Sequence, residues 1–388
     1  MRRFLSLAIL GVTALLGAGV SAQAPTVSPT AATAAAERVV LTDDVFKTVT
    51  LLRGIPVDTF FDAMGMFANA MGNDCTYCHD SKAYFDKTAF ALPTPRIQKA
   101  RQMIVMMNDL NRRYFAGQTR VTCFTCHQGS NAPTSDPDFM VQYGEPIENP
   151  NLRDFPTDAR QTPDAIFAKY IQALGGAERL AKFTSYTAKG TYAGFDTSFD
   201  KVPVELYGRA PGQQTMVVHF STGVSTRVFD GTSGWMSGPD TPLPLLVLSD
   251  GNLDRARLEA MAAFPAGLRQ AFPQWRGGRT AIDGAEVVVL QGIDAAGQPV
   301  AHFYFDEGGL LVRMIRFTRT PVGFVPTQID YSDYRDVQGV KIPFTRKVSQ
   351  TYMQMTVELT DVQPNAAIAG SRFARPAPYS RPQGSPAR

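Results

Sequence analysis

The chain has 388 residues, too long for one average domain and suited to two or three. Hydrophobic residues make up 44% and charged residues 19%, which permits a packed core and excludes global disorder. The formal net charge is +3, and two of the positive charges are Arg2 and Arg3 of a targeting segment, so nothing in the balance points to a nucleic-acid partner.

Met1-Arg2-Arg3 is a positive start, Phe4 to Val20 is an apolar run, and Val20-Ser21-Ala22 is a small-residue cleavage site. Residues 1–22 are therefore expected to be a cleaved signal peptide. The alternative is an uncleaved anchor, for which so short a run, rich in Ala and Gly, is marginal. No cysteine follows the run to take a lipid. The expected location is the periplasm, free or held at a membrane only through partners. Residues 23–36, mostly Ala, Pro, Thr and Ser, read as a flexible tether.

Residues 37–133 are helical in pattern. Asp58 to Met71 has helical spacing and stops at Gly72. A second helix starts at Thr94, a good N-cap, with Pro95 in first position, and runs to Phe115 ahead of Gly117. Pro133, Pro137, Pro146, Pro150 and Pro156 mark residues 134–161 as a linker or an extended arm. Thr162-Pro163 opens a helix that closes at Gly175-Gly176.

From Ser185 to Val362 the hydrophobic period changes to two. Val202 to Gly208, Thr215 to Phe220, Glu286 to Leu290, His302 to Phe305, Leu310 to Phe317, Thr327 to Tyr334 and Tyr352 to Leu359 are expected strands. Glu307-Gly308-Gly309 and Gln338-Gly339 are expected hairpin turns, and Leu253 to Phe264 is an inserted helix. Residues 162–370 thus form one antiparallel β domain, and the Pro- and Arg-rich residues 371–388 read as a disordered tail.

The chain has only four cysteines and four histidines. All four cysteines and two histidines fall into Cys75-Thr76-Tyr77-Cys78-His79 and Cys123-Phe124-Thr125-Cys126-His127. Cys-x-x-Cys-His is the attachment signature of c-type haem. Two thiols on one side of a helical turn, Cys75 with Cys78 and Cys123 with Cys126, can add to the haem vinyl groups. The adjacent His79 or His127 then faces the iron. Two covalently attached haem c groups are the expected cofactors.

Three other uses of the cysteines compete. Zinc ribbons separate their pairs by roughly 15 to 20 residues, far less than the stretch from Cys78 to Cys123. Redox dithiols sit in a strand-to-helix context that neither pair has. Disulfides between the pairs remain open.

Met64, Met66 and Met71 are candidates for the sixth ligand of the first iron, although a Met and aromatic stripe at helical spacing is also what a core looks like. Met71 leaves about 14 Å of extended chain to Cys75, awkward for reaching the opposite porphyrin face, whereas Met64 can reach. Met103, Met106 and Met107 are the candidates on the second helix. No free histidine remains in this region.

Leu51-Leu52-Arg53-Gly54-Ile55-Pro56, Met64, and Met71-Gly72-Asn73-Asp74 ahead of Cys75 resemble the cytochrome subunit of photosynthetic reaction centres. Met103-Ile104-Val105-Met106-Met107-Asn108-Asp109-Leu110-Asn111 ahead of Val121-Thr122-Cys123, and His127-Gln128-Gly129, extend the resemblance. It covers about a quarter of the chain. It implies that Met64, eleven residues before its motif, and Met106, of the Met-x-x-x-x-Asn pattern, bind iron. Four haem motifs and a lipid-anchored start are the family pattern, and this chain departs from both, so it looks more like shorter di-haem members. The resemblance implies electron transfer, not docking onto a reaction centre.

Arg96, Lys99, Arg101, Arg112 and Arg113 punctuate the second helix, either to pair with propionates or an acidic partner or simply as a solvated face. Further on, Phe305-Asp306-Glu307-Gly308-Gly309-Leu310-Leu311-Val312-Arg313, Asp330-Tyr331-Ser332-Asp333-Tyr334 and Gly339-Val340-Lys341-Ile342-Pro343-Phe344 weakly resemble periplasmic lipoprotein-carrier proteins. That resemblance implies an open, curved antiparallel sheet covered by helices. Its concave face would take an apolar ligand or simply be the core, and alternation alone requires only a core. His219 and His302 on strands are expected to be packed or surface residues.

The expected architecture is two domains, a mainly α di-haem c-type cytochrome domain followed by an α+β domain with an open curved antiparallel sheet. The expected function is single-electron transfer with redox protein partners, membrane-bound ones among them, by a carrier rather than a catalyst. The rivals are a di-haem peroxidase or oxidase with one open iron, and a lipid- or lipoprotein-binding protein with an accessory haem domain.

Overall fold

A computed structural model describes residues 38–137, 139–144, 153, 157–239 and 241–380. The expected signal peptide and tether lie outside the described residues. The helices are α1 (Thr42–Val45), α2 (Val57–Met71), α3 (Pro95–Tyr114), α4 (Cys123–His127), α5 (Phe139–Tyr143), α6 (Pro163–Ala173), α7 (Ala177–Lys182) and α8 (Asp250–Ala263). The strands are β1 (Ser185–Gly194), β2 (Val202–Arg209), β3 (Gln213–Phe220), β4 (Gly223–Phe229), β5 (Gly234–Ser237), β6 (Leu246–Val247) and β7 (Gln274–Ile282). They continue with β8 (Ala285–Ile293), β9 (Pro299–Phe305), β10 (Leu311–Thr320), β11 (Gly323–Val337), β12 (Val340–Ser349) and β13 (Gln354–Pro364).

The thirteen strands make one antiparallel sheet in the order β6-β5-β4-β3-β2-β1-β13-β12-β11-β10-β9-β8-β7. Every neighbouring pair is consecutive in the chain except β1 with β13, so two meanders are stitched together by one long-range seam. Both expected hairpin turns form, and Gly309 and Gly339 each take a left-handed φ.

Helix α8 joins the two outer edges and lies across one face. Its Glu259 pairs with Arg227 of β4, and its Asp254 pairs with Arg316 of β10. Those strands are seven steps apart, about 34 Å in a flat sheet, while the whole helix is about 21 Å long. The sheet therefore curls around α8, as an open curved sheet should. Side chains from α6, α8 and the inner strand faces fill the concavity, among them Tyr170, Leu258, Leu268, Phe303 and Phe305. Two cavities of about 40 and 30 Å³ are left inside.

Before Pro163 the described residues form helices and short 3-10 turns, apart from single β bridges at Leu41–Pro56 and Thr157–Gly278. They do not stand apart from the sheet, since Arg38–Arg388 is one compact unit. Helix α2 and the β10–β11 hairpin share an apolar cluster that includes Leu52, Ala63, Met66, Met107, Val322 and Val325. Gly65 faces the β12–β13 turn so closely that a Cβ there would lie 2.3 Å from Thr351 Oγ1.

Two polar contacts lock α2 to the start of α8. Asp58 accepts hydrogen bonds from the Ser249 backbone N–H and hydroxyl at 2.7 and 2.6 Å. Asp62 accepts one from Asn252 Nδ2 at 2.7 Å. Ser249 is the N-cap of α8 but makes no side-chain cap bond to it, so a carboxylate from another helix completes this end.

Two described parts of the proline-rich arm touch the sheet. Arg153 stacks on Phe324 with its guanidinium 3.6 Å from the ring centre, and the Asp158 N–H donates to Gly277 O at 2.9 Å. The tail corrects the sequence expectation of disorder from 371. Gly370–Phe373 forms a 3-10 turn with Phe373 buried, and the Tyr379 hydroxyl donates to Thr222 O at 2.8 Å. An apolar anchor at each end outweighs a Pro- and Arg-rich composition. Residues 381–388 lie outside the described residues.

Candidate functional site

The first Cys-x-x-Cys-His forms a 3-10 turn, Cys75–Tyr77, capped by Asp74. Asp74 accepts from the Thr76 N–H at 2.8 Å and from the Tyr84 hydroxyl at 2.7 Å, and these bonds hold its carboxyl below the usual range. The second motif is α4, capped by Thr122. Helix α3 is tied to both motifs. At its start the Thr94 hydroxyl donates to Cys78 O at 2.5 Å. Near its end the buried Asn111 accepts from the Arg120 and Val121 N–H groups at 3.0 and 2.9 Å and donates to Val121 O at 2.7 Å.

The last turn of α2 meets the end of the second motif. Gly72 takes φ 63°, and a Cβ on it would lie 2.2 Å from Gly129 O, so only glycine fits. The Gly129 N–H donates to Ala70 O at 3.0 Å, and Asn73 bonds Asn131 at 2.5 Å.

Both motif histidines are oriented in the same way. His79 Nδ1 lies 2.9 Å from Phe90 O, and His127 Nδ1 lies 3.1 Å from Ser130 O. A ring nitrogen facing a carbonyl must carry the proton, which leaves Nε2 with its lone pair free. Metal-bound histidines show this pattern, the carbonyl fixing tautomer and ring direction. Burial also favours the neutral form of His79.

All four thiols are free. Burial pushes the Cys123 thiol up to about 11, and the Cys78 thiol also upward, the reverse of what a reactive dithiol needs. Among the described residues no three His, Cys, Asp or Glu side chains gather as a metal cluster, so the two Cys pairs do not converge as a zinc ribbon would require.

The surroundings are apolar and uncovered. Of the large hydrophobic side chains exposed among the described residues, thirteen of seventeen fall between Leu51 and Tyr143. They include Phe85 at 77%, Tyr114 at 72% and Phe124 at 44%. Along the twenty residues of α3 only Ile104, Met107 and Asn111 are buried. Exposed apolar side chains of this kind suit a large planar apolar group, and two of them belong to the motifs' own surroundings: Phe90, whose ring lies 5.1 Å from that of His79, and Phe124, inside the second motif. The residues present fit haem.

The proposed sixth ligands differ in setting. Met64 is half-buried and packs against the cluster that also includes Met107 and Cys123. Met106 is 47% exposed. The α3 cations are largely engaged by the protein itself. Arg96 stacks on Tyr77 at 4.1 Å and donates to Tyr77 O, Arg101 donates to Thr48 O, and Arg112 and Arg113 pair with Asp109. His302 is buried between Gln291 and Tyr304, and His219 bonds Glu205 at the surface.

The sequence reading missed Asp58, Asp62, Ser249 and Asn252. Their only local signal was two carboxylates one turn apart on a helix that is otherwise apolar on that face.

Residues 17–149 match the family model of the photosynthetic reaction centre cytochrome C subunit. This segment is similar to that cytochrome family. The Roseobacter denitrificans photosynthetic reaction center cytochrome c subunit is 26% identical over 98 residues, covering 22% of this chain and 26% of the relative. The Thermochromatium tepidum subunit is 30% identical over 88 residues, covering 19% and 21%. The chain therefore spans about a quarter of the length of these relatives. The fold is also similar to a DUF1329 family protein from Desulfovibrio piger, with TM-score 0.37, 10% identity, and coverage of 54% of this chain and 96% of that one. A LolA superfamily protein from Nitrosomonas europaea matches with TM-score 0.37, 11% identity, and coverage of 55% and 97%. No helix among the described residues is long and apolar enough to cross a membrane.

Proposed function

We propose that the protein is an exported di-haem c-type cytochrome that passes single electrons between redox protein partners, membrane-bound ones among them, in the periplasm. The observation that carries this reading is the paired orientation of His79 and His127, each with Nδ1 on a backbone carbonyl and Nε2 free. The similarity of residues 17–149 to the reaction-centre cytochrome subunit supports it.

Cys75 and Cys78 would hold one haem and Cys123 and Cys126 the other, with His79 and His127 as proximal ligands and Met64 and Met106 opposite. When bound, haem supplies an iron that changes oxidation state by one electron. The protein's part is to fix the ligands and exclude water. Phe90 O and Ser130 O hold the imidazoles. Asp74 and Thr122 cap the turns that present the thiols. Asn111 and Gly72 keep α3 and α2 against the second motif. A thioether opposite each histidine would close the iron to exogenous ligands and raise the potential relative to two histidines.

The test is a redox titration of the purified holoprotein followed by visible spectra. Two low-spin haems are expected, with the methionine-to-iron charge-transfer band near the red end. Met64→Ala and Met106→Ala should each remove half of that band and lower one potential. A single haem per chain, high-spin ferric iron, or rapid CO binding by the unaltered protein would refute the reading. Mass spectrometry should find a mature chain that begins at Gln23.

A further inference from the structure

Beneath α8 the two interior cavities meet at the same three side chains, Glu259, Tyr331 and Arg346. This spot is crowded with positive charge. Arg227 of β4 lies 2.5 Å from Glu259 Oε2, and Arg255 lies 3.6 Å from Glu259 Oε1, so one carboxylate serves two guanidinium groups. Arg346 of β12 has no carboxylate within 4.0 Å among the described residues. Its polar neighbours are the Tyr186 and Tyr331 phenols, and Glu259 acts on it only at longer range.

The hydrogen-bond inventory points the same way. Arg346 Nε is a buried donor with no acceptor, whereas Arg255 Nε, also without a hydrogen bond, faces the unbonded Glu259 Oε1 at 3.6 Å. A half-buried guanidinium with no carboxylate beside it, one of whose N–H donors is buried without an acceptor, is destabilising unless something negative meets it. Asp62 of α2 also acts on Arg255, and it is bonded to Asn252. The walls on either side are apolar, with Leu174, Phe183 and Ile342 in one cavity and Leu206, Met216 and Val357 in the other.

We propose that this seat binds one small monovalent anion of halide size between Arg346 and the Arg227–Glu259 pair. Size argues for a small ion. Cavities of about 40 and 30 Å³ each take two or three water-sized groups at roughly 10–15 Å³ apiece, whereas sites for drug-sized ligands begin near roughly 300 Å³. Charge argues for an anion, because a water molecule satisfies donors but leaves the guanidinium uncompensated. The site lies within the sheet and is independent of haem chemistry. It would make a halide part of the folded core and so stabilise the fold by mass action.

The experiment uses the full-length holoprotein in methanesulfonate buffer, titrated with chloride at constant ionic strength. Above the dissociation constant each tenfold rise in chloride should lift the melting midpoint by about 2 °C for a compact unit of this size. Arg346→Met should abolish that dependence, Arg346→Lys should weaken it, and the exposed Arg38→Met should leave it intact. Crystals grown in bromide should give an anomalous peak within contact distance of the Arg346 guanidinium. A midpoint that ignores chloride at constant ionic strength overturns the proposal. So does ordered water without anomalous signal in the bromide crystals, a result that stands even if Arg346→Met fails to fold.

Discussion

Asp58→Ala tests whether the haem-motif segment and the sheet are one cooperative body. The side chain accepts the Ser249 N–H at 2.7 Å, the Ser249 hydroxyl at 2.6 Å and the Thr59 N–H at 2.9 Å, all in buried surroundings. Alanine leaves the two Ser249 donors without an acceptor and opens the first turn of α8, and each orphaned buried donor costs about 1–3 kcal/mol. Against that, burial raises the Asp58 pKa, so the carboxylate itself is held at a cost that alanine removes. The net loss should be about 2–4 kcal/mol. Guanidinium denaturation of the holoprotein measures it, with the Soret band reporting the haem segment and fluorescence of Trp235 and Trp275 reporting the sheet. In the unaltered protein the two signals should share one midpoint. In Asp58→Ala both should fall together, or the Soret midpoint should fall first. Arg38→Ala, which removes an exposed ion pair with Asp44, should change stability by less than about 0.5 kcal/mol. Separate midpoints in the unaltered protein, or a loss below about 0.5 kcal/mol in Asp58→Ala, would refute the reasoning.

Three further outcomes are expected. Burial lowers the His302 pKa to about 4 from 6.5, so the unfolded chain binds the extra proton first as pH falls. Stability from this residue is whole above pH 6.5 and declines through the window down to pH 4 by about 3 kcal/mol; His302→Gln should lack this part of the decline, which should therefore appear in the difference between the two proteins. Asn111→Ala should lower the denaturation midpoint by an amount equivalent to about 2–4 kcal/mol, because the Arg120 and Val121 N–H groups and Val121 O lose their partner together; Asn111→Asp keeps the acceptor for the two N–H groups but sets a carboxylate oxygen against Val121 O in a buried site, so it should lose at least as much. Gly72→Ala should be far more damaging than Gly129→Ala in the same assay, although both glycines have positive φ, because a Cβ at 72 strikes the Gly129 carbonyl while one at 129 meets nothing within 4 Å.

Local signals made much of the fold legible. Thr94-Pro95, Gly72 and the Gly308-Gly309 and Gln338-Gly339 turns act within a few residues, and the elements they bound are where spacing places them. Strands with a clean inner and outer face, such as β11, show their alternation directly. Harder cases had no such contrast. β7 is rich in Gly and Arg and β6 has two residues, while β9, buried on both faces along its whole length, is legible only from His302 onward. At the site, the ten motif residues and the free imidazole nitrogens follow from chemistry carried by neighbours in sequence. The α2–α8 joint does not, because Asp58 and Ser249 are 191 positions apart and nothing near Asp58 names its partner.

The single long-range seam of the sheet sets an order of events. Amino-end-first synthesis makes α2 and both haem motifs long before Ser249, Asn252 and Val322, the surfaces against which α2 packs. Every strand except β1 and β7, which open the two meanders, can pair with its predecessor as it emerges, and the sheet closes only when β13 arrives to meet β1. Until then the four thiols stand on a segment with no sheet to cover it. Any chemistry that modifies Cys75, Cys78, Cys123 and Cys126 would therefore have its open period at the start of the chain's life, and closure of β1 on β13 would end it.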